Sequence, residues 1–153
     1  MPHSSSEPVS KERLRFWLRV LKTSRRIESR LRDNLRAEFG STLPRFDVMA
    51  ALSRFPDGLK MSQLSDVLRV SNGNVTGVVD RLAEDDIVVR VAVAKDRRAS
   101  LVRLTPKGRH EFAAQAAAHE TWVDDLLSEF TPDDLNAIGA RLEALMTSLE
   151  GKT

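Results

Sequence analysis

The sequence predicts a mainly α-helical protein with one small β-hairpin. Apolar residues recur at spacings of three and four through most of the 153 residues, and β-favouring, valine-rich runs replace that pattern only between residues 87 and 104. Hydrophobic residues make up 41% and charged residues 30% of the chain, a composition typical of globular domains. There is no cysteine, which excludes disulfides, thiolate nucleophiles and sensing through a thiol.

The first forty residues predict a tail followed by one long helix. Residues 1–10 lack the basic start and apolar middle of a signal peptide, and we expect them to form a flexible tail. Residues 11–40 carry an apolar stripe with helical spacing that ends at Gly40, so they predict a long amphipathic helix. The lack of a signal peptide pattern predicts a cytoplasmic protein, and no contact with a membrane is expected, since no apolar run approaches the roughly 18 residues that a membrane span needs.

Two shorter helices are predicted next. Leu43–Phe55, with Pro44 as its first helical residue, precedes a turn of sequence PDG. Ser62 is the expected N-cap of the next helix, because serine side chains accept hydrogen bonds from the first turn. A break at Val70 and Ser71 separates this short helix from the one that follows.

The segment SNGNVTGVVDRL, residues 71–82, has the pattern of a helix with two unlike faces. Gly73 and Gly77 fall on one side, although each internal glycine weakens a helix by about 1 kcal/mol relative to alanine. The bare side therefore indicates close approach of another molecule. The alternative is that SNGN is a turn, since Asn-Gly is a common turn dipeptide. The opposite side of the helix is apolar and consists of Val75, Val78, Val79 and Leu82.

The β-favouring runs predict a hairpin with a basic tip. Ile87–Val93 and Ser100–Leu104 are the expected strands, and residues 94–98 are the expected charged turn. Arginine suits a narrow minor groove of DNA, whose negative potential is enhanced. Asp96 would hold a neighbouring arginine in position through a charge-assisted bond. The alternative is a solvated, charged β-turn.

Two further helices are predicted between residues 105 and 149. Thr105 with Pro106, and the sequence TPDD at residues 131–134, are typical helix starts. Residues 110–153 hold nine acidic and two basic residues, whereas residues 11–40 hold ten basic and four acidic residues. The C-terminal third is therefore expected to avoid an anion that the basic regions could face.

A short helix, a tight break and a second helix, followed at once by a basic hairpin, form the winged helix-turn-helix arrangement. Residues 41–104 are the expected DNA-binding domain. Its second helix enters the major groove, where asparagine can pair with adenine and threonine can contact a base. The predicted DNA-binding residues are Ser62, Ser71, Asn72, Gly73, Asn74, Thr76, Gly77, Lys95, Asp96, Arg97 and Arg98.

These features resemble the MarR family of bacterial transcriptional regulators over about residues 11–149. DRRASLVRLTPKG, residues 96–108, matches that family's wing motif, and VTGVVDRL falls on its recognition helix. Asp86 departs from the family pattern, which usually has glycine there; aspartate fills such a position less well than glycine but is able to do so. The marked wing positions are Asp96, Arg98, Leu104, Thr105 and Gly108.

The resemblance implies a ligand-responsive repressor that binds a pseudo-palindromic, double-stranded DNA operator as a homodimer. The helices of residues 11–40 and 105–149 would form the dimerisation region, and their long apolar stripes agree with this. Family members usually bind a small aromatic anion between the dimerisation and DNA-binding regions. Candidate ligand-binding residues are Phe16, Trp17, Arg19, Arg25, Arg26, Arg36, Phe39, Phe46, Phe112 and Trp122. The alternative is that the aromatic side chains are core and the arginines are solvated.

SNGNVTG also resembles the recognition helices of family branches that control aromatic-acid catabolism, some of which respond to aryl-coenzyme A thioesters. The balance of +6 in residues 11–40 would suit the phosphates of coenzyme A. The expected effector is p-coumaroyl-coenzyme A, another aryl-coenzyme A thioester or an aromatic carboxylate. No cofactor is expected. No metal site is expected either, because His110 and His119 do not share a helix face and could not bind one metal ion together.

Two other classes of function compete with this interpretation. An enzyme is not expected, since the sequence offers no nucleophile-base pair and no phosphate-binding loop. An architectural DNA-binding protein with no ligand shares every feature of the predicted DNA reader. The sequence leaves that alternative open.

Overall fold

The computed structural model describes residues 7–69, 72–93 and 96–152. The chain divides into two compact units, residues 1–119 and residues 120–153. The mainly helical structure with a small antiparallel sheet confirms the predicted fold class. The elements within the described ranges are α1 (Val9–Phe39), α2 (Leu43–Ser53), β1 (Leu59–Lys60), α3 (Met61–Leu68), α4 (Asn72–Glu84), β2 (Val88–Val93), β3 (Asp96–Leu104), α5 (Pro106–Leu126) and α6 (Pro132–Glu150).

Side-chain caps fix where two of the helices begin. The Thr42 hydroxyl accepts a hydrogen bond from the backbone N–H of Arg45 at 3.3 Å, and α2 starts directly after it. The Thr131 hydroxyl accepts from the N–H of Asp134 at 3.2 Å at the start of α6. These bonds satisfy first-turn N–H groups that have no partner within the helix. The first helix begins at Val9, so it includes two residues of the predicted tail.

The sheet has three strands, one more than the predicted hairpin. The strand order is β1-β3-β2, and every pair is antiparallel. Leu59 pairs with Val102 and Lys60 pairs with Leu101. A strand of two residues has no alternating pattern of its own, so β1 could not be predicted from the sequence.

The predicted N-cap role of Ser62 is wrong. Lys60 occupies the N-cap position of α3, and Ser62 is an exposed residue within the first helical turn. The Gln63 side chain accepts a hydrogen bond from the Lys60 N–H at 2.9 Å. The pairing of Lys60 in β1 therefore places the start of α3 ahead of the serine.

The hydrophobic core lies in the first unit, between α2, α3, α4 and the sheet. The predicted apolar side of α4 faces this core: Val75, Val79 and Leu82 are fully buried, and Val78 packs against them at the edge. The other buried residues of this core are Val48, Met49, Ala51, Leu52, Leu59, Leu64, Ile87, Val88, Val102 and Leu104.

Helix α4 ends in a left-handed turn at Asp86, whose φ angle is 60°. The Asp86 N–H donates to the carbonyl of Ala83 at 3.1 Å, and the Ile87 N–H donates to the carbonyl of Leu82 at 2.9 Å. This pair of bonds is a Schellman motif, which satisfies carbonyls at a helix end. The aspartate thus adopts the conformation that usually favours glycine, as the departure from the family pattern led us to expect.

The turn at Asp86 and Ile87 is hydrogen-bonded to Thr105, directly before the start of α5. The Thr105 hydroxyl donates to the Asp86 carbonyl at 2.6 Å, and the Thr105 N–H donates to the Ile87 carbonyl at 3.0 Å. The hydroxyl also accepts from the Gly108 N–H at 2.9 Å, which caps α5. A Cβ at Gly108 would lie 2.0 Å from the Ile87 carbonyl oxygen, so only glycine fits there. We refer to Asp86, Ile87, Thr105 and Gly108 as the junction.

We expect Gly108→Ala to lower the free energy of unfolding by about 1 to 3 kcal/mol, because the added methyl group meets backbone that cannot rotate away. Gly77→Ala is the matched control, since a Cβ at Gly77 meets nothing within 4 Å. It should raise the free energy of unfolding by about 1 kcal/mol through helix propensity. Urea denaturation followed by circular dichroism measures both changes. Equal stability of Gly108→Ala and the wild type would show that α5 moves away from Ile87 without cost.

Candidate nucleic-acid interface

Residues 72–82 of the segment SNGNVTGVVDRL, for which a turn was the alternative, form a helix. Helix α4 begins at Asn72, so the backbone of Asn72, Gly73 and Asn74 is helical and the turn alternative is wrong. Asn74, Thr76 and Gly77 lie on the exposed side of α4, with Gly77 opposite the buried valines and Asn74 and Thr76 on either flank of it. We refer to this side of α4 as the outward face. The side chain of Asn72, and residues Ser71 and Lys95, lie outside the described residues.

Gly77 on the outward face has open space around it. A Cβ built there would meet nothing within 4 Å, unlike a Cβ at Gly108. The fold itself therefore does not require glycine at this position, although glycine weakens the helix. An approaching molecule that must come close to the α4 backbone gives a physical reason for it.

One acidic residue on the outward face is paired. The Asp80 carboxylate accepts a hydrogen bond from the guanidinium of Arg90 at 2.5 Å. Arg90 lies on β2, so this ion pair connects α4 with the first strand of the wing. Both side chains remain partly exposed.

The wing turn is shorter than the sequence predicted. Strand β3 begins at Asp96, and Val93 pairs with Asp96 after a register shift between Ala92 and Val93. The backbone of Arg97 and Arg98 is therefore strand rather than turn. The side chains of Asp96, Arg97 and Arg98 lie outside the described residues, and their assignment to DNA stays a prediction.

A cavity of about 520 Å³ lies between α2, α4 and the end of α3. This volume is in the range of small-molecule sites. None of the predicted ligand-binding residues lines it. Its wall consists of Pro44, Asp47, Val48, Leu68, Asn74, Val75, Gly77, Val78 and Arg81. Two of these, Asn74 and Gly77, also belong to the outward face, so the cavity adjoins the candidate interface.

The structure brings together two of the predicted aromatic ligand residues. The rings of Phe46 and Phe112 lie 5.7 Å apart, and His119 stacks on Phe46 with a centroid distance of 4.5 Å. Partial burial lowers the pKa of His119 below its ordinary value. Gln115, on the same helix as His119, is also buried, and its Oε1 has no hydrogen-bond partner among the described residues. The histidine and glutamine were not among the predicted residues, because sequence spacing does not show which α5 side chains reach α2.

The predicted ligand residues of α1 do not meet at one place in a single chain. Arg25 and Arg26 line a shallow groove of about 460 Å³ with Leu18, Leu21, Lys22 and Ser29. Phe16 and Trp17 are more than half exposed, and Phe16 lies about 34 Å along the helix axis from Phe39. Arg19 and Arg36 are exposed as well. Trp122 belongs to the second unit, so its part in a pocket stays a prediction.

Helix α6, in the second unit, carries a stripe of apolar residues that are exposed. No residue of α6 is buried. None of the described helices is long and apolar enough to cross a membrane. Gly139 lies within the stripe, and a Cβ there would meet nothing within 4 Å. The exposed apolar residues of the stripe are Leu135, Ile138, Leu142, Leu145, Met146 and Leu149.

Helices α3 and α4, followed by the β2–β3 hairpin as the wing, define a winged helix-turn-helix protein. The sequence model of the MarR family matches residues 39–99. A crystal structure of a MarR family transcriptional regulator from Silicibacter pomeroyi is 33% identical, covers 94% of this chain and 99% of its own, and has a TM-score of 0.78. The chain belongs to the MarR family of transcriptional regulators.

Two further relatives show how far the similarity extends. The transcriptional activatory protein BadR of Rhodopseudomonas palustris is 32% identical over 99 residues, which is 63% of this chain but only 57% of the length of BadR. Sco3205, a MarR family regulator from Streptomyces coelicolor whose structure is a complex with DNA, has a TM-score of 0.81 at 19% identity. That alignment covers 96% of this chain and 92% of Sco3205 and shows a shared fold.

The burial of His119 predicts a loss of stability in acid. Because the pKa of His119 in the folded protein is lower than in the unfolded chain, the unfolded chain binds the proton first as pH falls. The contribution of His119 is therefore complete above its ordinary pKa of about 6.5 and is lost as pH falls through that value towards the folded pKa.

His119→Phe keeps a ring on Phe46 and removes this titration. Between pH 7.5 and 5.5, we expect the unfolding midpoint in urea to decrease more for the wild type than for His119→Phe. Parallel pH profiles for the two proteins would contradict the assignment.

Proposed function

We propose that this chain is a ligand-responsive DNA-binding regulator, most simply a repressor, that reads a pseudo-palindromic operator as a homodimer. The observation that carries the proposal is the outward face of α4, which exposes Asn74 and Thr76 around the open position at Gly77. Such a surface lets a helix backbone approach base edges while polar side chains contact them. The presence of DNA in the Sco3205 structure, which shares this fold, supports the same use of the domain.

A homodimer is proposed because two helices expose apolar stripes. In addition to the α6 stripe, the N-terminal half of α1 exposes Leu14, Phe16, Trp17 and Leu18. Contiguous apolar surface of this kind marks an interface with another chain. In a two-fold dimer the two α4 helices would be about 34 Å apart, one turn of DNA, and would read the two halves of a palindrome.

Ligand response is proposed from the cavity and from the basic charge of α1. A ligand releases DNA only if it binds more tightly to a conformation that does not fit the operator. The cavity beside α4 has a wall in common with the outward face, so its shape depends on the helix that would read DNA. The arginine-rich α1 suits a coenzyme A thioester, and p-coumaroyl-coenzyme A or a related aromatic anion is the proposed effector.

The alternative function is an architectural DNA-binding protein with no ligand. Selection of bound fragments from a pool of random duplexes separates the two. An enriched palindromic motif supports the regulator, whereas equal affinity for all duplexes at fixed salt supports the architectural protein. Since BadR is named an activatory protein, transcription in vitro from a promoter carrying the selected motif decides between repression and activation.

Two substitutions on the outward face should separate folding from DNA binding. Gly77→Ala should weaken binding to the selected duplex at least tenfold, because the added methyl group occupies the open space between the α4 backbone and the DNA. The same substitution should stabilise the fold. Asn74→Ala should reduce discrimination against particular base changes by about 1 to 3 kcal/mol. Fluorescence anisotropy with single-base variants of the duplex measures both effects. Asn136→Ala makes the same change at an exposed position of α6 and should alter neither affinity nor base discrimination. If Asn74→Ala keeps the sequence preference of the wild type, Asn74 does not face the bases.

The dimer proposal predicts the effect of a charge in the α6 stripe. Leu142→Glu should dissociate the protein, because a carboxylate would be buried against apolar side chains of the partner. Ala140→Glu, on the opposite side of α6, places the same charge outside the stripe and should leave the dimer intact. Sedimentation velocity at micromolar concentration gives the mass of each protein. A monomeric wild type would contradict the proposal.

The effector proposal predicts that p-coumaroyl-coenzyme A binds the protein and releases the selected duplex. Free p-coumarate and free coenzyme A, titrated separately, show which part of the thioester is recognised. Isothermal titration calorimetry measures binding, and fluorescence anisotropy measures release of the duplex. If none of the three molecules gives heat or releases DNA, p-coumaroyl-coenzyme A is not the effector.

A further inference from the structure

The outward face of α4 carries acidic groups where a DNA reader should avoid them. Asp80 lies one helical turn after Thr76, near the centre of this face, and Glu84 lies one turn further along. Both are exposed, as is Arg81 between them. Two carboxylates against one arginine would leave the C-terminal half of this face with a net negative charge. A negative face repels phosphates, so this charge opposes the proposed function.

Arg90, which lies on β2, offsets the negative charge of Asp80 on α4. Its guanidinium reaches from β2 to the Asp80 carboxylate at 2.5 Å, and 41% of the arginine side chain and 55% of the aspartate side chain stay exposed. Ion pairs this exposed contribute little to stability, because water screens them and both side chains lose freedom. Folding alone therefore gives only a weak reason for this pair.

We infer that Arg90 is a positioning residue for DNA binding: it neutralises Asp80 on the outward face and fixes the carboxylate away from the phosphates. The inference rests on the proposed entry of α4 into DNA. The same charge-assisted bond joins α4 to β2, so it holds the Asp80 carboxylate beside the first strand of the hairpin. Arg90 acts through Asp80 and not by contacting DNA itself.

This role predicts a rescue that a direct DNA contact would not show. Arg90→Gln exposes an unpaired carboxylate to the duplex, and we expect its affinity to fall at least tenfold at low salt. The difference from the wild type should shrink as salt rises, because repulsion between exposed charges is screened. In the double variant Asp80→Asn/Arg90→Gln the carboxylate is gone, and we expect its affinity to return to within about threefold of the wild type.

The experiment compares the wild type, Arg90→Gln, Asp80→Asn and the double variant on the selected duplex over a salt series, with unfolding midpoints as a check on folding. Arg45→Gln is the matched control. It removes an arginine from another exposed ion pair of the first unit, the 2.8 Å pair with Asp85, which lies beyond the end of α4, and it should bind as the wild type does.

Three results would overturn the inference. If the double variant binds as weakly as Arg90→Gln and its plot of log affinity against log salt is shallower by about 0.9, Arg90 contacts a phosphate directly. If Arg90→Gln binds as tightly as the wild type, Asp80 needs no neutralisation. If the wild type binds no duplex at all, the proposed function itself fails, which the other two results leave intact.

Discussion

The fold depends on the hydrogen bonds between Thr105 and the turn that ends α4. One hydroxyl donates to the Asp86 carbonyl and accepts from the Gly108 N–H, while the Thr105 N–H donates to Ile87. This single residue thus connects the end of the recognition helix, the end of β3 and the start of α5. The close approach of Gly108 to the Ile87 carbonyl leaves no space for these elements to slide past one another. The orientation of α4 is therefore determined by the junction together with the buried valine face.

The two faces of α4 are subject to different physical demands. The buried face must fill the core, and Val75, Val79 and Leu82 do so with almost no exposed surface. The outward face meets no such demand, since a Cβ at Gly77 would meet no described atom within 4 Å. A glycine that weakens its own helix without a packing reason is best explained by a function outside the fold. The outward face is for this reason the strongest indication of function in the structure.

The sequence predicted the helices and the β2–β3 hairpin, which have local patterns, and missed β1, which has none. Helical stripes and caps such as Thr131 are local, so α1, α2, α5 and α6 could be predicted from spacing alone. Strand β1 could not, because its two residues acquire their conformation only from Val102 and Leu101 on β3. The wrong cap at Ser62 followed from the same cause, since the pairing of Lys60 fixes where α3 starts.

In the candidate site, too, features with a local sequence pattern could be predicted and contacts between elements could not. Asn74 and Gly77 could be placed on the outward face because a helical wheel is sufficient for that. The Asp80–Arg90 pair, the cavity beside α4 and the stack of His119 on Phe46 join residues from different elements, and no local pattern encodes such contacts. The shorter wing turn also depends on pairing, because the register shift at Ala92 and Val93 brings Asp96 into β3.

The junction also limits how a ligand could release DNA. A ligand must change the position of α4 relative to the operator, yet the hydrogen bonds of Thr105 and the contact at Gly108 tie the end of α4 to the first turn of α5. Displacement of that first turn must therefore move α4 as well, unless the hydrogen bonds of Thr105 break. The cavity beside α4 offers a different route, because it lies between α4 and α2 and a molecule there would contact Asn74, Val75 and Gly77 of the helix. None of the junction residues lines this cavity, so a molecule bound there would leave the hydrogen bonds of Thr105 intact.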